Sequence, residues 1–169
     1  PDVTIQREFG GGYLANGGGC YADGKYYYNS YVYTEEMGYT FSTFITLDVA
    51  TGESTKVTQS FIQGSFDQTQ ITHDLTYDPT TGTIYAIAYI KETIDEEGLF
   101  ERYSPAISTV DTYTGFVTPI AKTPGFIVIA ANNAGELYGI TKGSRSSLYR
   151  INKTTGECTE IGPTGLNPE

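Results

Sequence analysis

Apolar and polar residues alternate along most of this chain. Phe44-Ile45-Thr46-Leu47, Ala106-Ile107-Ser108-Thr109-Val110 and Leu148-Tyr149-Arg150-Ile151 read as short strands, and apolar positions do not recur at three and four as an amphipathic helix requires. Tyr, Thr, Val and Ile are abundant, and Gly or Asn/Asp-Gly punctuation breaks the alternation at short intervals. The pattern predicts a nearly all-β protein.

The turns between these strands repeat. Asp48-Val49-Ala50-Thr51-Gly52-Glu53-Ser54-Thr55-Lys56-Val57 aligns position by position with Asp111-Thr112-Tyr113-Thr114-Gly115-Phe116-Val117-Thr118-Pro119-Ile120 and with Asn152-Lys153-Thr154-Thr155-Gly156-Glu157-Cys158-Thr159-Glu160-Ile161. The shared pattern is Asp/Asn-x-x-Thr-Gly-x-x-Thr-x-Val/Ile. It predicts a hairpin turn whose Asp or Asn bonds backbone amides and whose Gly supplies a positive φ. Upstream of each copy lies a second element, Gly24-Lys25-Tyr26-Tyr27, Gly82-Thr83-Ile84-Tyr85 and Gly135-Glu136-Leu137-Tyr138, each Gly ending a turn. Every unit is thus strand A, tight turn, strand B, variable loop, strand C, tight turn, strand D. The turn glycines are spaced 115 − 52 = 63 and 156 − 115 = 41 residues apart, and the excess in the first interval is assigned to loops. Units of four strands in about 40 to 50 residues have the size of β-propeller blades. A sandwich or meander barrel has strands at similar spacing, but does not usually repeat a ten-residue turn motif three times.

Residues 78–88 and 148–162 carry a resemblance to bacterial secreted propellers of the quinoprotein-like and WD40-like superfamily, whose blades read roughly D-P-x-T-G-x-L-Y-A-I followed by L-Y-x-I-D-x-x-T-G-x-x-T-x-I-G. The resemblance spans about residues 17–164. It implies three four-stranded antiparallel blades and an extracytoplasmic setting, whether secreted, periplasmic or at the cell surface. The Trp-Asp signature is absent, and with no Trp in the chain the packing used by quinone enzymes is absent too, so the resemblance stops at the scaffold and implies no cofactor. The organisation expected is an N-terminal strand and Gly-rich lead at 1–16, blades at 17–60, 61–122 and 123–164, and a lead into a missing blade at 165–169. Closed propellers typically have 4 to 8 blades. Three therefore imply either a piece of a larger propeller or a half-ring in a homodimer of six blades, with Val3-Thr4-Ile5-Gln6-Arg7-Glu8-Phe9 available as a clasp strand.

Charge narrows the partners. Twenty acidic against ten basic residues give a net charge of −10, which repels phosphate backbones and anionic lipid, so neither nucleic acid nor membrane insertion is expected. The longest apolar runs fall far short of the roughly 20 residues of a membrane helix. Cys20 and Cys158 share no metal-ligand spacing with each other or with His73, the one histidine, so no metal is expected. By the repeat alignment they lie on an inner strand A of the first unit and an outer strand D of the third, too far apart for a disulfide.

In an up-and-down meander the A–B and C–D turns share one face, which leaves the longer segments 29–43, 59–72 and 91–105 on the other. Long loops on a rigid scaffold are where binding usually resides. The candidates there are Tyr31, Tyr33, Glu35 and Tyr39 in the first segment, Phe66 and His73 in and beside the second, and Glu96, Phe100, Arg102 and Tyr103 in the third. Such an aromatic and carboxylate-rich surface suits stacking on sugar rings or anchoring of a protein partner. The plainer alternative is that these acids are solvated and the tyrosines pack the loops down.

Catalytic signatures are weak. Glu35/Glu36 and Glu96/Glu97 are the carboxylates a glycoside hydrolase or lyase would use, but adjacent acids repel and their separation across the fold is not legible. No Gly-x-Ser-x-Gly elbow occurs, and His73 beside Asp74 reads as structural or channel-lining. Gly10-Gly11-Gly12-Tyr13-Leu14-Ala15 matches a dinucleotide fingerprint in form, yet Asn16-Gly17-Gly18-Gly19 follows where a helix is required. The expectation is a non-enzymatic domain binding a glycan or a protein through its long loops, with a purely structural propeller segment as a further alternative.

Overall fold

The computed structural model describes residues 18–34, 39–62, 71–93 and 101–166, with the backbone alone at 30–34, 39–43, 57–62 and 101. Twelve strands form three four-stranded antiparallel meanders, with no helix among the described residues. The first sheet holds β1 (Gly19–Ala22), β2 (Lys25–Thr34), β3 (Tyr39–Asp48) and β4 (Ser54–Ile62). The second holds β5 (Asp74–Asp78), β6 (Thr83–Thr93), β7 (Glu101–Val110) and β8 (Val117–Lys122). The third holds β9 (Phe126–Ala131), β10 (Leu137–Thr141), β11 (Ser147–Ile151) and β12 (Cys158–Pro163). Strands β1, β5 and β9 are neighbours in that order, so consecutive sheets meet first along their A strands. The protein is all-β and propeller-like.

Each residue of the repeated turn has a visible task. The first side chain caps two amides: Asp48 Oδ1 accepts from Ala50 and Thr51, Asp111 Oδ1 from Tyr113 and Thr114, and Asn152 Oδ1 from Thr154 and Thr155. These amide donors hold the Asp48 and Asp111 carboxyls below the ordinary carboxylate range. The Thr hydroxyl then accepts from the amide of Glu53, Phe116 or Glu157. Gly52, Gly115 and Gly156 sit at φ of 74°, 70° and 73°, as the motif requires. A regularity not legible in the sequence accompanies them: a register shift interrupts the C–D pairing at the same step of all three sheets, between Phe44/Ile45, Ile107/Ser108 and Leu148/Tyr149.

The variable loops differ from expectation. β2 runs to Thr34 and pairs with β3 from Tyr39, while β6 runs to Thr93 and pairs with β7 from Glu101. Most of segments 29–43 and 91–105 is therefore hairpin. The reason lies in composition, since Tyr31-Val32-Tyr33-Thr34 opposite Tyr39-Thr40-Phe41-Ser42 is rich in β-branched and aromatic residues that favour a pleated pair.

Two seams join the sheets. Cys20, Ala22, Tyr27 and Phe44 of the first pack with Leu75, Ile84, Ala86, Ala88, Val110 and Val117 of the second. Tyr85, Ile87 and Ile107 of the second pack with Phe126, Ile129, Leu137 and Ile151 of the third. Both cysteines are free, Cys20 buried in the first seam and Cys158 beside the second, in agreement with their strand assignments. Burial pushes the Cys20 thiol up to about 12, and the nearby Asp74 carboxylate adds to this, so Cys20 is an inert core thiol.

Candidate functional site

The sequence candidates divide sharply. Glu35, Phe66, Glu96 and Phe100 lie outside the described residues. Tyr31 and Tyr33 are on β2 and Tyr39 on β3, with only their backbone described, while Arg102 and Tyr103 are on β7, so these five are strand residues and not loop residues as expected. His73 immediately precedes β5.

His73 is held by its backbone and its ring. Its amide donates to the Ile87 carbonyl, its carbonyl accepts from the Gly18 amide, and the imidazole meets the Tyr89 ring edge-on at 5.1 Å between centroids. Partial burial lowers the imidazole pKa. The neighbouring Asp74 carboxylate is turned to another purpose, because its Oδ2 accepts the Ile129 amide of the third sheet at 2.8 Å. Burial raises the Asp74 pKa, against the amides of Ile129 and Leu75. With its oxygen engaged across the seam, Asp74 serves the joint between sheets.

Tyr89 pairs with Pro105, so His73 lies beside the β6–β7 hairpin that carries Arg102 and Tyr103 farther out. The hairpin is locked there by Glu92. Its Oε2 accepts from the Arg102 guanidinium at 3.1 Å and from the Ser104 hydroxyl at 2.6 Å, while its Oε1 meets the Lys122 ammonium from β8. One carboxylate thus ties three strands at the base of the hairpin tip. Arg102 is part of that tie.

The opposite face holds what sequence reasoning missed. Tyr113 is 88% exposed and Phe116 58% exposed, both on the repeated turn of the second sheet. The corresponding residues in the other two turns are Ala50 and Thr154, and Glu53 and Glu157, none of them aromatic. Positions that the turn leaves free and that turn aromatic in one copy were the available signal. Tyr113 and Thr112 overhang a cleft of about 400 Å³ whose other wall is the first sheet, with Lys25, Asp48, Glu53 and Lys56 along it. The cleft is polar, solvent-open and capped by one aromatic ring. Among the described residues no three His, Cys, Asp or Glu side chains converge as a metal would need.

The described residues define a propeller-like repeat domain of three four-stranded antiparallel sheets. No known protein family matches the chain, and neither does any curated protein. Among solved structures, the dipeptidyl peptidase 4 of Porphyromonas gingivalis superposes on 87% of this chain at 10% identity, with a TM-score of 0.41. The match takes in 30% of the peptidase chain, so this chain spans less than a third of its length.

Proposed function

We propose that this is a non-enzymatic ligand-binding domain of a bacterial extracytoplasmic protein, which takes a glycan or a protein on the face formed by its B–C hairpins and the links between sheets. The observation that carries the reading is the Glu92 tie. A carboxylate bonded to Arg102, Ser104 and Lys122 ties β6, β7 and β8 together, which supports a preorganised base for a binding face. Aromatic rings beside such a base, Tyr103 among them, supply contact area at low conformational entropy. The test is a glycan array and a protein pull-down with the chain and its Tyr31→Ala and Phe100→Ala variants. The expected result is a loss of about tenfold or more in affinity for each variant, the scale of one anchoring aromatic. Unchanged affinity in both variants would overturn the face assignment.

A second reading follows from Tyr113 and Phe116, whose exposure on a fully hydrogen-bonded turn has no folding purpose. On this reading the ligand lies across the inter-sheet cleft, stacked on Tyr113. Tyr113→Ala in the same assay separates the two readings, because only one of the two faces responds.

A further inference from the structure

The repeated turn of the third sheet is latched to the second sheet, and that of the second is not latched to the first in the same way. Lys153, on the turn between β11 and β12, reaches Asp78 at the end of β5 and the Thr80 hydroxyl just beyond it. In the first seam the equivalent positions hold Thr112, too short to reach across, and Ala22, which offers no acceptor side chain. Register fixes the second equivalence, because Asp78 and Ala22 each end an A strand and pair with the first residue of strand B, Thr83 and Lys25. Where the latch is missing, a cleft of about 400 Å³ lies between the first sheet and the turn of the second, with Thr112 and Tyr113 as its far wall. That volume falls in the range of small-ligand sites, about 300–1,000 Å³.

Several residues around this cleft are ones the repeat does not require. Lys25 stands where the other units have Thr83 and Glu136, Lys56 where they have Pro119 and Glu160, and Tyr113 where they have Ala50 and Thr154. The same strands and turns form in the other copies without them, yet all three line one hollow. Two carboxylates, Asp48 and Glu53, line it as well, so its acids and ammoniums balance although the chain as a whole carries −10. The Thr51 and Ala50 amides, with Lys25 nearby, hold the Asp48 carboxyl below the ordinary range and therefore ionised. Thr46 borders the same cleft, and its hydroxyl is buried without a hydrogen-bond partner. An unmatched hydroxyl is costly in a folded protein, and beside a cleft it marks a place for a polar group from outside.

We propose that this cleft seats one ring of a neutral saccharide, with its C–H face on Tyr113 and its hydroxyls among the charged and threonine side chains of the first sheet. The inference rests on the second reading above and gives that reading its ligand class. A pyranose ring brings a flat C–H face, which suits an aromatic ring that is 88% exposed, and a rim of hydroxyls that both donate and accept. That rim answers a wall on which ammonium donors, carboxylate acceptors and dual-role threonines stand side by side. An acidic sugar or a phosphate meets two carboxylates, and a basic peptide meets two ammoniums, so each is repelled by half of the wall. A small zwitterion satisfies the charges but leaves the ring of Tyr113 unused.

The test is an amide NMR titration of the full chain with neutral tetrasaccharides of glucose, mannose, xylose and N-acetylglucosamine, beside tetragalacturonate and glycylglycine. Each probe is taken to about 10 mM, which saturates a site with a Kd of about 1 mM. At least one neutral tetrasaccharide is expected to shift the amides of Thr46, Thr55, Thr112 and Tyr113, and to lose about tenfold or more in affinity in Tyr113→Ala. Thr46→Val separates a ligand contact from a structural role: affinity is expected to fall about threefold or more while the melting temperature holds or rises, because an unmatched hydroxyl has been removed. Tyr21→Ala, which changes an exposed tyrosine on β1 outside the cleft, keeps the native affinity. If only tetragalacturonate or glycylglycine shifts these amides, and the shift is lost in Tyr113→Ala, the cleft stands as the site and the neutral saccharide is overturned. Silence from every neutral tetrasaccharide overturns the saccharide too, and binding that shifts other amides and ignores Tyr113→Ala overturns the second reading with it.

Discussion

The seam between the first and second sheets and the seam between the second and third use one geometry and different chemistry. Among the described residues the first is mainly apolar, with a buried polar link in which Asn29 Nδ2 donates to Thr72 Oγ1 at 2.6 Å and an exposed one in which the Tyr77 hydroxyl donates to Asp23 at 3.3 Å. The second adds three polar links to its apolar core: Asp74 and Thr76 accept the Ile129 and Ala131 amides, and Lys153 is paired with Asp78. Asp78 is 1% exposed, and although burial raises its pKa, the Lys153 ammonium and the Thr80 and Thr81 donors outweigh this and hold it far below the ordinary range. Gly156 belongs to this seam as well, since a Cβ there would collide with the Ala121 side chain. A repeat step can therefore be kept while its bonding is exchanged, even with the Thr46 and Ser108 hydroxyls buried without a hydrogen-bond partner.

The largest effect is expected from breaking the ion pair. Asp78→Ala removes the partner of the Lys153 ammonium and the cap of the Thr80-Thr81 turn, and it is expected to cost on the order of 3–5 kcal/mol in urea unfolding. The sign of the pH dependence follows from the depressed carboxyl. The stabilisation is complete above the unfolded-state pKa of about 3.9 and is lost as pH falls toward the lower folded value, so the gap between native chain and variant narrows below about pH 4. A gap that is unchanged with acid would mean that Asp78 is not charged in the folded state.

A smaller effect is expected at the first seam. Asn29→Ala leaves the Thr72 hydroxyl buried without its donor, at about 1–3 kcal/mol, with no change in slope between pH 3 and 6 because neither group titrates. The contrast between the two pH profiles is what sharpens the comparison.

The turns were legible because their chemistry is local. Asp48, Thr51 and Gly52 act within five residues of one another, and the same letters recur where the same bonds are needed. The seams were not legible to that degree. Asp74 and Thr76 look like ordinary strand residues, and their acceptor role depends on amides 55 residues away in β9. The hairpins resemble loops in the sequence because their length varies between repeats, although Tyr31-Val32-Tyr33-Thr34 has a β-forming composition. Of the site, the aromatic character of the hairpin face is visible in the sequence, whereas Tyr113 and Phe116 fall on variable positions of a motif that otherwise explains the turn.

The central claim is that the second and third sheets are joined by side chains of β5 that accept backbone amides of β9. Amide hydrogen exchange read by NMR at Ile129 and Ala131, in the native chain and in Thr76→Val, tests it most directly. Both amides are predicted to be protected in the native chain, with Ala131 losing protection in the variant while Ile129, still bonded to Asp74, keeps it. Rapid exchange at both positions in the native chain, or equal loss at both in Thr76→Val, would contradict the account.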